Sequence, residues 1–316
     1  MKRYIVLLFF VVVALALKAQ FDPMIGQYML MPTAYNPAAA GDGNLMKVSG
    51  LHRMQFTGIR NAPMTTYFSF YSPFRILKTN HGAGIRFMND RYGLFTNRTL
   101  HLQYAYRQKL GNGFLAAGVD MGFLSVGFKG DSVNLSQLSG STYHKTDDQL
   151  IPTKEETGMG FDLGVGVYYS SPRWWAGISY SHLTKPKILW GEYASIRVKG
   201  TFYAAGGYNW QLRNKKWVIK PSAFVMTDFT SWSIALTALV QYKDKYRWGL
   251  TYHIADDVAL LFSVDIISGL TLGYTYELPT SSLLKESYGS HEVYLAYGFD
   301  ILKPKRNNKY KSIRYL

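Results

Sequence analysis

The chain has 316 residues, of which 17% are charged and 16% are aromatic, and its formal net charge is +15. It contains no cysteine, which excludes disulfide frameworks, thiol catalysis and cysteine-based zinc sites. A mean hydropathy of −0.09 excludes a helical membrane protein, and a hydrophobic content of 47% excludes disorder of the whole chain.

A short apolar run near the start predicts a signal peptide. Lys2 and Arg3 precede an apolar stretch over residues 4–17, and the small residue Ala19 follows it. This order is typical of a secretory signal peptide, and the run is shorter than the roughly 20 residues of a membrane-spanning helix. We expect cleavage after Ala19, so that residues 1–19 are the leader. A retained signal anchor is the alternative.

The next segment, residues 20–44, is apolar but follows neither a helical nor a strand pattern. Its three prolines, Pro23, Pro32 and Pro37, interrupt any long helix or strand. A segment this apolar is unfavourable in water. We therefore expect it to pack onto a partner or into the barrel that the following residues predict, either in its lumen or at its periplasmic mouth.

From about residue 45 onward, apolar and polar side chains alternate with a period of two. Leu100 and Leu102, for example, alternate with His101 and Gln103. Such segments predict an all-β fold, a transmembrane antiparallel outer-membrane β-barrel of about 14 strands over residues 45–302. A soluble β-sandwich also alternates and is the alternative. The predicted strands span residues 45–58, 63–74, 81–89, 98–109, 113–128, 159–171, 173–183, 199–212, 216–227, 231–243, 245–254, 256–266, 268–279 and 290–302.

The lengths of the connections predict the orientation of this barrel. The longest ones, residues 129–158, 184–198, 280–289 and 90–97, are all odd-numbered along the chain, whereas most even-numbered ones are tight. Outer-membrane barrels have short periplasmic turns and longer external loops. We therefore expect periplasmic N- and C-termini, with the long connections outside.

Two segments are predicted to bind partner proteins. The connection 184–198 is more apolar than a solvated loop requires, and exposed aromatic side chains often anchor partners. Folding inward as a constriction is the alternative for this loop. The basic tail, residues 303–316, carries six basic and no acidic residues together with apolar side chains, as in a segment that folds on binding. A polar tail that stays disordered is the alternative. The predicted contact residues are Trp190, Tyr193, Lys303, Lys305, Arg306, Tyr310 and Tyr315.

Basic residues also concentrate in the predicted periplasmic turns. They suit either anionic lipid headgroups or an acidic face of a periplasmic protein. Because they lie in turns and at the chain ends rather than on one folded face with a recognition motif, we predict no nucleic-acid partner. The residues are Arg75, Lys78, Arg173, Arg213, Lys215, Lys216, Lys243 and Lys245.

No catalytic motif is present, and we predict no enzyme activity and no cofactor. His253, Asp256 and Asp257 cluster near one predicted external turn, but their spacing indicates no nucleophile for a hydrolase. Inward-facing charged residues are expected to form salt bridges across the barrel interior, between Asp120, Asp162, Asp265, Glu277 or Asp300 and Arg86 or Arg107. The longest loop contains oxygen ligands suited to calcium, although a solvated loop is favoured: Asp147, Asp148, Glu155 and Glu156.

An ordered set of short motifs spans nearly the whole mature chain. They are Gln27-Tyr28-Met29, Tyr35-Asn36-Pro37-Ala38, Arg53-Met54-Gln55-Phe56-Thr57-Gly58, Tyr104-Ala105-Tyr106-Arg107, Gly164-Val165-Gly166-Val167-Tyr168-Tyr169, Ala176-Gly177-Ile178-Ser179, Lys220-Pro221-Ser222, Gly273-Tyr274-Thr275-Tyr276 and Gly289-Ser290-His291-Glu292. Together they resemble the PorP/SprF family of Bacteroidetes, which belongs to the type IX secretion system and its gliding motility machinery. The basic tail is longer than this resemblance leads us to expect.

The resemblance implies a non-enzymatic outer-membrane component that links periplasmic ring or motor proteins to export, docking or surface anchoring of a secreted partner. That partner would be an adhesin or cargo protein carrying a type B C-terminal signal domain, and outer-membrane lipid would surround the barrel. The alternative function is a small-solute channel or transporter. The two differ in whether the lumen is open or is plugged by residues 20–44.

Overall fold

The computed structural model describes residues 22–130, 154–190 and 194–300, which are mostly β-strand. Among these residues, no helix combines the length and the apolar character needed to cross a membrane. The strands are β1 Met46–Met54, β2 Met64–Ile76, β3 Thr79–Tyr92, β4 Phe95–Leu110, β5 Gly113–Lys129, β6 Glu155–Ser170, β7 Trp174–Ser181, β8 Lys187–Trp190, β9 Ala194–Arg197, β10 Thr201–Tyr208, β11 Trp210–Gln211, β12 Trp217–Thr227, β13 Trp232–Tyr242, β14 Tyr246–His253, β15 Asp257–Ile267, β16 Leu270–Pro279 and β17 Ser290–Phe299.

Within the described ranges all of these strands except β8 and β9 form one closed antiparallel barrel of 14 strands, which confirms the predicted fold class. β1 pairs with β17, and β10 pairs with both β7 and β12, so the sheet has no free edge at either junction. β10 and β11 are two parts of one barrel strand, interrupted at Asn209. β8 and β9 form a separate hairpin inside the connection 182–200. Each of the predicted strand ranges overlaps a barrel strand.

The period of two separates an apolar outer face from a mostly polar lumen. In β4, Leu100 and Leu102 point outward and are 48% and 59% exposed, whereas His101 and Gln103 point inward and are buried. Side chains on successive strand residues project to opposite faces, so one face can contact lipid while the other fills the interior. This barrel therefore has the surface of an outer-membrane protein.

The connections divide between two ends of the barrel. The end with the odd-numbered connections, here named the loop end, has residues 55–63, 93–94, 130–154, 182–200, 228–231, 254–256 and 280–289. The opposite end, here named the turn end, has residues 77–78, 111–112, 171–173, 212–216, 243–245 and 268–269. The long connections therefore share one end, as the sequence predicts. The predicted long connection 90–97 is wrong, because β3 and β4 pair as far as Tyr92 and Phe95 and leave only residues 93–94 between them. The side of the membrane on which each end and the termini lie stays a prediction.

Residues 22–42, here named the plug, lie inside the barrel. They form three short 3-10 turns, Tyr28–Leu30, Pro32–Ala34 and Pro37–Ala39. Prolines begin the second and third turns, where a missing N–H costs nothing, and Asn36 caps the third by accepting the amide of Ala38 at 2.9 Å. The compact path that results fits within the lumen, which an extended strand of the same length would overrun.

Candidate functional site: a plugged lumen with a basic rim

Inward-facing polar side chains of the barrel hold the plug through its carbonyl groups. Arg86 donates to the carbonyl of Ala34 at 2.6 Å, and Gln103 donates to the carbonyl of Thr33 at 2.9 Å. Short 3-10 turns leave most of their backbone groups without internal partners, and a buried unpaired group is unfavourable. The polar lumen therefore serves as the hydrogen-bonding surface that the plug needs.

A buried charged cluster holds the first residues of the plug at the loop-end half of the lumen. The carboxylate of Glu292 accepts the amides of Gly26 and Gln27 at 2.9 and 3.0 Å. Arg53 donates to Glu277 at 2.6 Å and lies 4.0 Å from Glu292. Because a buried carboxylate is stable only when it is paired or hydrogen-bonded, this cluster and the plug stabilise each other.

Aromatic rings of the plug fill the middle of the lumen. The ring of Tyr28 stacks on that of Phe224, with centroids 5.0 Å apart, and Tyr35 lies 4.6 Å from the same ring. The hydroxyl of Tyr28 is 2.8 Å from that of Ser222 and donates to Thr237 at 3.1 Å. Since these contacts involve β12 and β13, opposite the strands that bind Ala34, the plug spans the lumen from wall to wall.

An ionic contact at the loop end holds the start of the plug. His182 donates to Asp162 at 2.7 Å and to both oxygens of Asp22 at 3.2 Å, and Tyr203 also donates to Asp22. Burial opposes the charge on His182, but Asp22 and Asp162 raise its pKa to about 10. Burial likewise opposes the charge on Asp22, yet His182 holds the pKa of that carboxyl below its usual range. This contact is therefore an ion pair at neutral pH.

The turn end carries a band of exposed cations, in or beside every connection except residues 268–269, here named the basic rim. Asp244 is the acidic residue of these short connections, so the rim has a strong net positive charge. A band of like charge on an open face attracts acidic surfaces. The rim consists of Arg75, Lys78, Lys109, Arg173, Arg213, Lys215, Lys216, Lys243 and Lys245, all of them exposed.

The structure places one predicted partner-binding residue in a buried cluster. Trp190 is 9% exposed, stacks on Phe128 with centroids 5.6 Å apart, and donates its indole N–H to the carbonyl of Val126 at 2.8 Å. Trp190 therefore folds inward, which is the alternative that the sequence left open for this loop. Its neighbour Leu189 is 58% exposed. Binding of a partner by Trp190 stays a prediction. The other predicted contact residues lie outside the described residues: Tyr193, Lys303, Lys305, Arg306, Tyr310 and Tyr315.

The catalytic and calcium candidates gain no further support. His253 lies 2.5 Å from Asp257, but its Nε2 atom contacts no hydrogen-bonding group among the described residues. Glu155 and Glu156 are the first residues of β6, the former exposed and the latter half-buried, and the described residues contain no cluster of three possible metal ligands. The remaining two calcium candidates, Asp147 and Asp148, lie outside the described residues.

Some predicted ion pairs form, and others involve partners that the sequence did not indicate. Arg86 lies 2.9 Å from Asp120, as predicted. Arg107 instead pairs at 2.7 Å with Asp42, which belongs to the plug. The other predicted acids for which the structure gives partners pair elsewhere: Asp162 with His101 and His182, Asp265 with Arg247, and Glu277 with Arg53. Sequence reasoning missed the role of Glu292, although it lies within the motif Gly289-Ser290-His291-Glu292.

Solved structures of other outer-membrane proteins resemble the barrel at low sequence identity. A search of curated protein sequences found no significant match. The outer-membrane protein Omp33 of Acinetobacter baumannii is 7% identical, with a TM-score of 0.48 over 81% of this chain and 98% of that one. The toluene transporter TbuX of Ralstonia pickettii is 14% identical, with a TM-score of 0.49 over 89% and 95%. A FadL homologue of Pseudomonas aeruginosa is 11% identical, with a TM-score of 0.47 over 84% and 93%.

The family comparison covers most of the chain. Residues 17–297 match the family described as type IX secretion system membrane protein PorP/SprF. The match includes the plug and the barrel strands through most of β17, so it takes in the plugged lumen described above. The closed barrel with an apolar outer face and the family agree on an outer-membrane location. The chain therefore belongs to the PorP/SprF family of type IX secretion system membrane proteins.

Proposed function

We propose that this protein is a non-enzymatic outer-membrane component that links periplasmic ring or motor proteins to the export, docking or surface anchoring of a secreted adhesin or cargo protein. The basic rim is the observation that carries the proposal. Exposed cations lie in or beside five of the six connections of the turn end, all except residues 268–269, and Asp244 is the acid within those connections. Such a surface favours a protein partner with an acidic face, because complementary charge steers association.

The proposal places the turn end in the periplasm. Short turns face the periplasm in outer-membrane barrels, and the long connections face the outside. The outward side of the rim would then meet anionic lipid headgroups of the inner leaflet, whereas its lumen-facing side would remain available to a periplasmic protein.

At the loop end, the proposed partner is a secreted protein with a type B C-terminal signal domain. The connection 182–200 supports this role because its β8–β9 hairpin is folded and anchored by buried Trp190. A preformed hairpin binds with a smaller entropic cost than a disordered loop. Exposed Leu189 lies on this hairpin and offers an apolar contact.

The alternative, a small-solute channel, is disfavoured by the plug. Its backbone bonds to Arg86 and Gln103 and its aromatic contacts at Phe224 cross the lumen from opposite walls. A diffusion pore requires a continuous aqueous path, and these contacts occupy the middle of that path.

The test is co-purification from native membranes. In the rim variant, Arg213, Lys215 and Lys216 are replaced together by Gln; the matched control replaces three exposed loop-end cations by Gln, namely Arg60, Lys154 and Lys285. The proposal predicts that the rim variant recovers fewer periplasmic secretion partners than the wild type, whereas the control recovers as many as the wild type. The difference between rim variant and wild type should shrink as the salt concentration rises, because salt screens exposed charges. Wild-type recovery of those partners by the rim variant would refute it.

A further inference from the structure

The turn end encloses a cavity that has no role in the proposed function as stated above. The cavity measures about 320 Å³ and is lined by both the barrel and the plug. Leu30 and Pro32 of the plug form its floor, while Ser171 and Asn209, which lie outside the strands at the turn end, line its mouth. It is therefore a blind vestibule that opens toward the basic rim. Its volume is within the range of sites that bind small groups.

Three cations from different strands and one acid line this vestibule, and the acid, Asp42 of the plug, is already paired with Arg107 at 2.7 Å. Lys47 and Arg247 are already engaged: Lys47 donates to the carbonyl of Leu30 at 2.9 Å, and Arg247 forms two bonds to Asp265 at 3.0 and 2.6 Å. The ammonium group of Lys220, in contrast, has no hydrogen-bond or ion-pair partner among the described residues, although the side chain is half-buried. A partly desolvated cation without a partner is unfavourable, so a bound anion would stabilise it.

We propose that this vestibule binds a carboxylate side chain of an acidic peptide segment, with Lys220 as its main contact. The assignment rests on the proposed function, because it identifies where a periplasmic partner would insert. The extent of the positive charge favours a peptide. A small anion that filled the vestibule would reach only the cations that line it, whereas an acidic peptide could also lie along the rim.

Lipid headgroups are a poor occupant of this site. The vestibule is bounded by the inward-facing residues Lys47, Tyr71 and Tyr168 and by the plug, so it lies within the barrel mouth rather than at the lipid-facing surface. Tyr71, Tyr168 and Trp175 form an apolar wall on which the methylene groups of a glutamate side chain can pack. The site thus combines a charge for the carboxylate with apolar surface for its stem.

The test measures binding of fluorescein-labelled hexaglutamate to the purified full chain in neutral detergent, by fluorescence anisotropy. Lys220→Gln should weaken binding about tenfold, since it removes a charge-assisted hydrogen bond, whereas Lys220→Arg should stay within twofold of wild type. Lys285→Gln, which removes one exposed charge at the loop end, is the matched control and should also stay within twofold.

Three results would overturn the inference: no binding of hexaglutamate, equal affinities of wild type and Lys220→Gln, or displacement of the peptide by inorganic phosphate at constant ionic strength. The last result would show a small-anion site. Failure here is distinguishable from failure of the proposed function, because the rim variant at Arg213, Lys215 and Lys216 tests partner association in native membranes without altering Lys220.

Discussion

Replacing Gly118 with alanine should loosen the plug and leave the barrel assembled. Gly118 faces the lumen from β5, and an added Cβ would lie 2.4 Å from the amide nitrogen of Ala38 and 2.5 Å from its Cα. These are backbone atoms of the plug, so they cannot move aside as the end of a flexible side chain can. Overpacking of this kind costs about 1–3 kcal/mol, which raises the population of the displaced plug about 5- to 150-fold.

A single introduced thiol reports this displacement, because the chain has no native cysteine. Thr33 of the plug is 1% exposed, so Thr33→Cys should react slowly with a maleimide in the purified protein. Adding Gly118→Ala should accelerate the reaction of this cysteine about 5- to 150-fold, in proportion to the population of the displaced plug. The control is Gly50→Ala, whose added Cβ has no neighbour closer than 4.0 Å and should leave the rate unchanged. Equal rates with and without Gly118→Ala would refute the proposed packing of the plug.

Three further predictions test orientation, the ionic contact and the hairpin. On intact cells, Lys187→Cys should react with an impermeant maleimide, whereas Asn112→Cys should react only after the outer membrane is opened; the reverse pattern would invert the barrel. His182, whose pKa is raised from 6.5 to about 10, stabilises the fold below pH 6.5, and this contribution is lost as the pH rises through about 10. The loss of thermal stability in His182→Gln should therefore be larger at pH 6 than at pH 10.5, and a loss that is independent of pH would contradict the ion pair. Trp190→Ala should destabilise the hairpin by about 3–5 kcal/mol and make it sensitive to protease. The barrel should remain folded, as shown by a change in its gel migration on boiling. Combined with Tyr193→Ala, Trp190→Ala should weaken capture of a secreted partner, and unchanged capture would exclude this loop as the docking site.

The barrel could be predicted because its information is local. Alternation such as Leu100 and Leu102 against His101 and Gln103 reflects a pleated strand between lipid and a polar interior, and each strand carries it independently. The parity of loop lengths then constrained the strand count. Boundaries differ by a few residues; β3, for example, extends from Thr79 to Tyr92 beyond the predicted 81–89, because its pairing with β2 and β4 continues into the polar residues near both connections.

The contacts of the plug could not be predicted, since its backbone is irregular and its sequence has no helical or strand periodicity. Arg86 binds the carbonyl of Ala34, and a carbonyl acceptor carries no signature in the sequence. Arg107 pairs with Asp42 across 65 positions of the chain, where several acids were equally plausible partners. Only the apolar character and the prolines of residues 20–44 indicated that this segment would pack against something.

The fate of loop 184–198 illustrates the same limit. Its apolar composition showed that its side chains needed contacts, but not whether those contacts lay within the barrel or on a partner. The structure assigns Trp190 to an internal cluster with Phe128 and Val126, because the long strand β5 extends far enough at the loop end to cover it. Exposed Leu189 is the neighbouring side chain that remains available for binding.

We propose that the plug closes the lumen and that the protein anchors other proteins instead of forming a pore. Single-channel recording in planar lipid bilayers distinguishes a closed lumen from an open one. The purified wild-type protein should show no steady ion conductance, whereas a variant lacking residues 22–42 should conduct. Gly118→Ala, which keeps the plug but loosens it, should show intermittent openings and serves as the test if the deletion variant does not fold. Steady conductance through the wild-type protein, unchanged by Gly118→Ala or by the deletion, would contradict the claim.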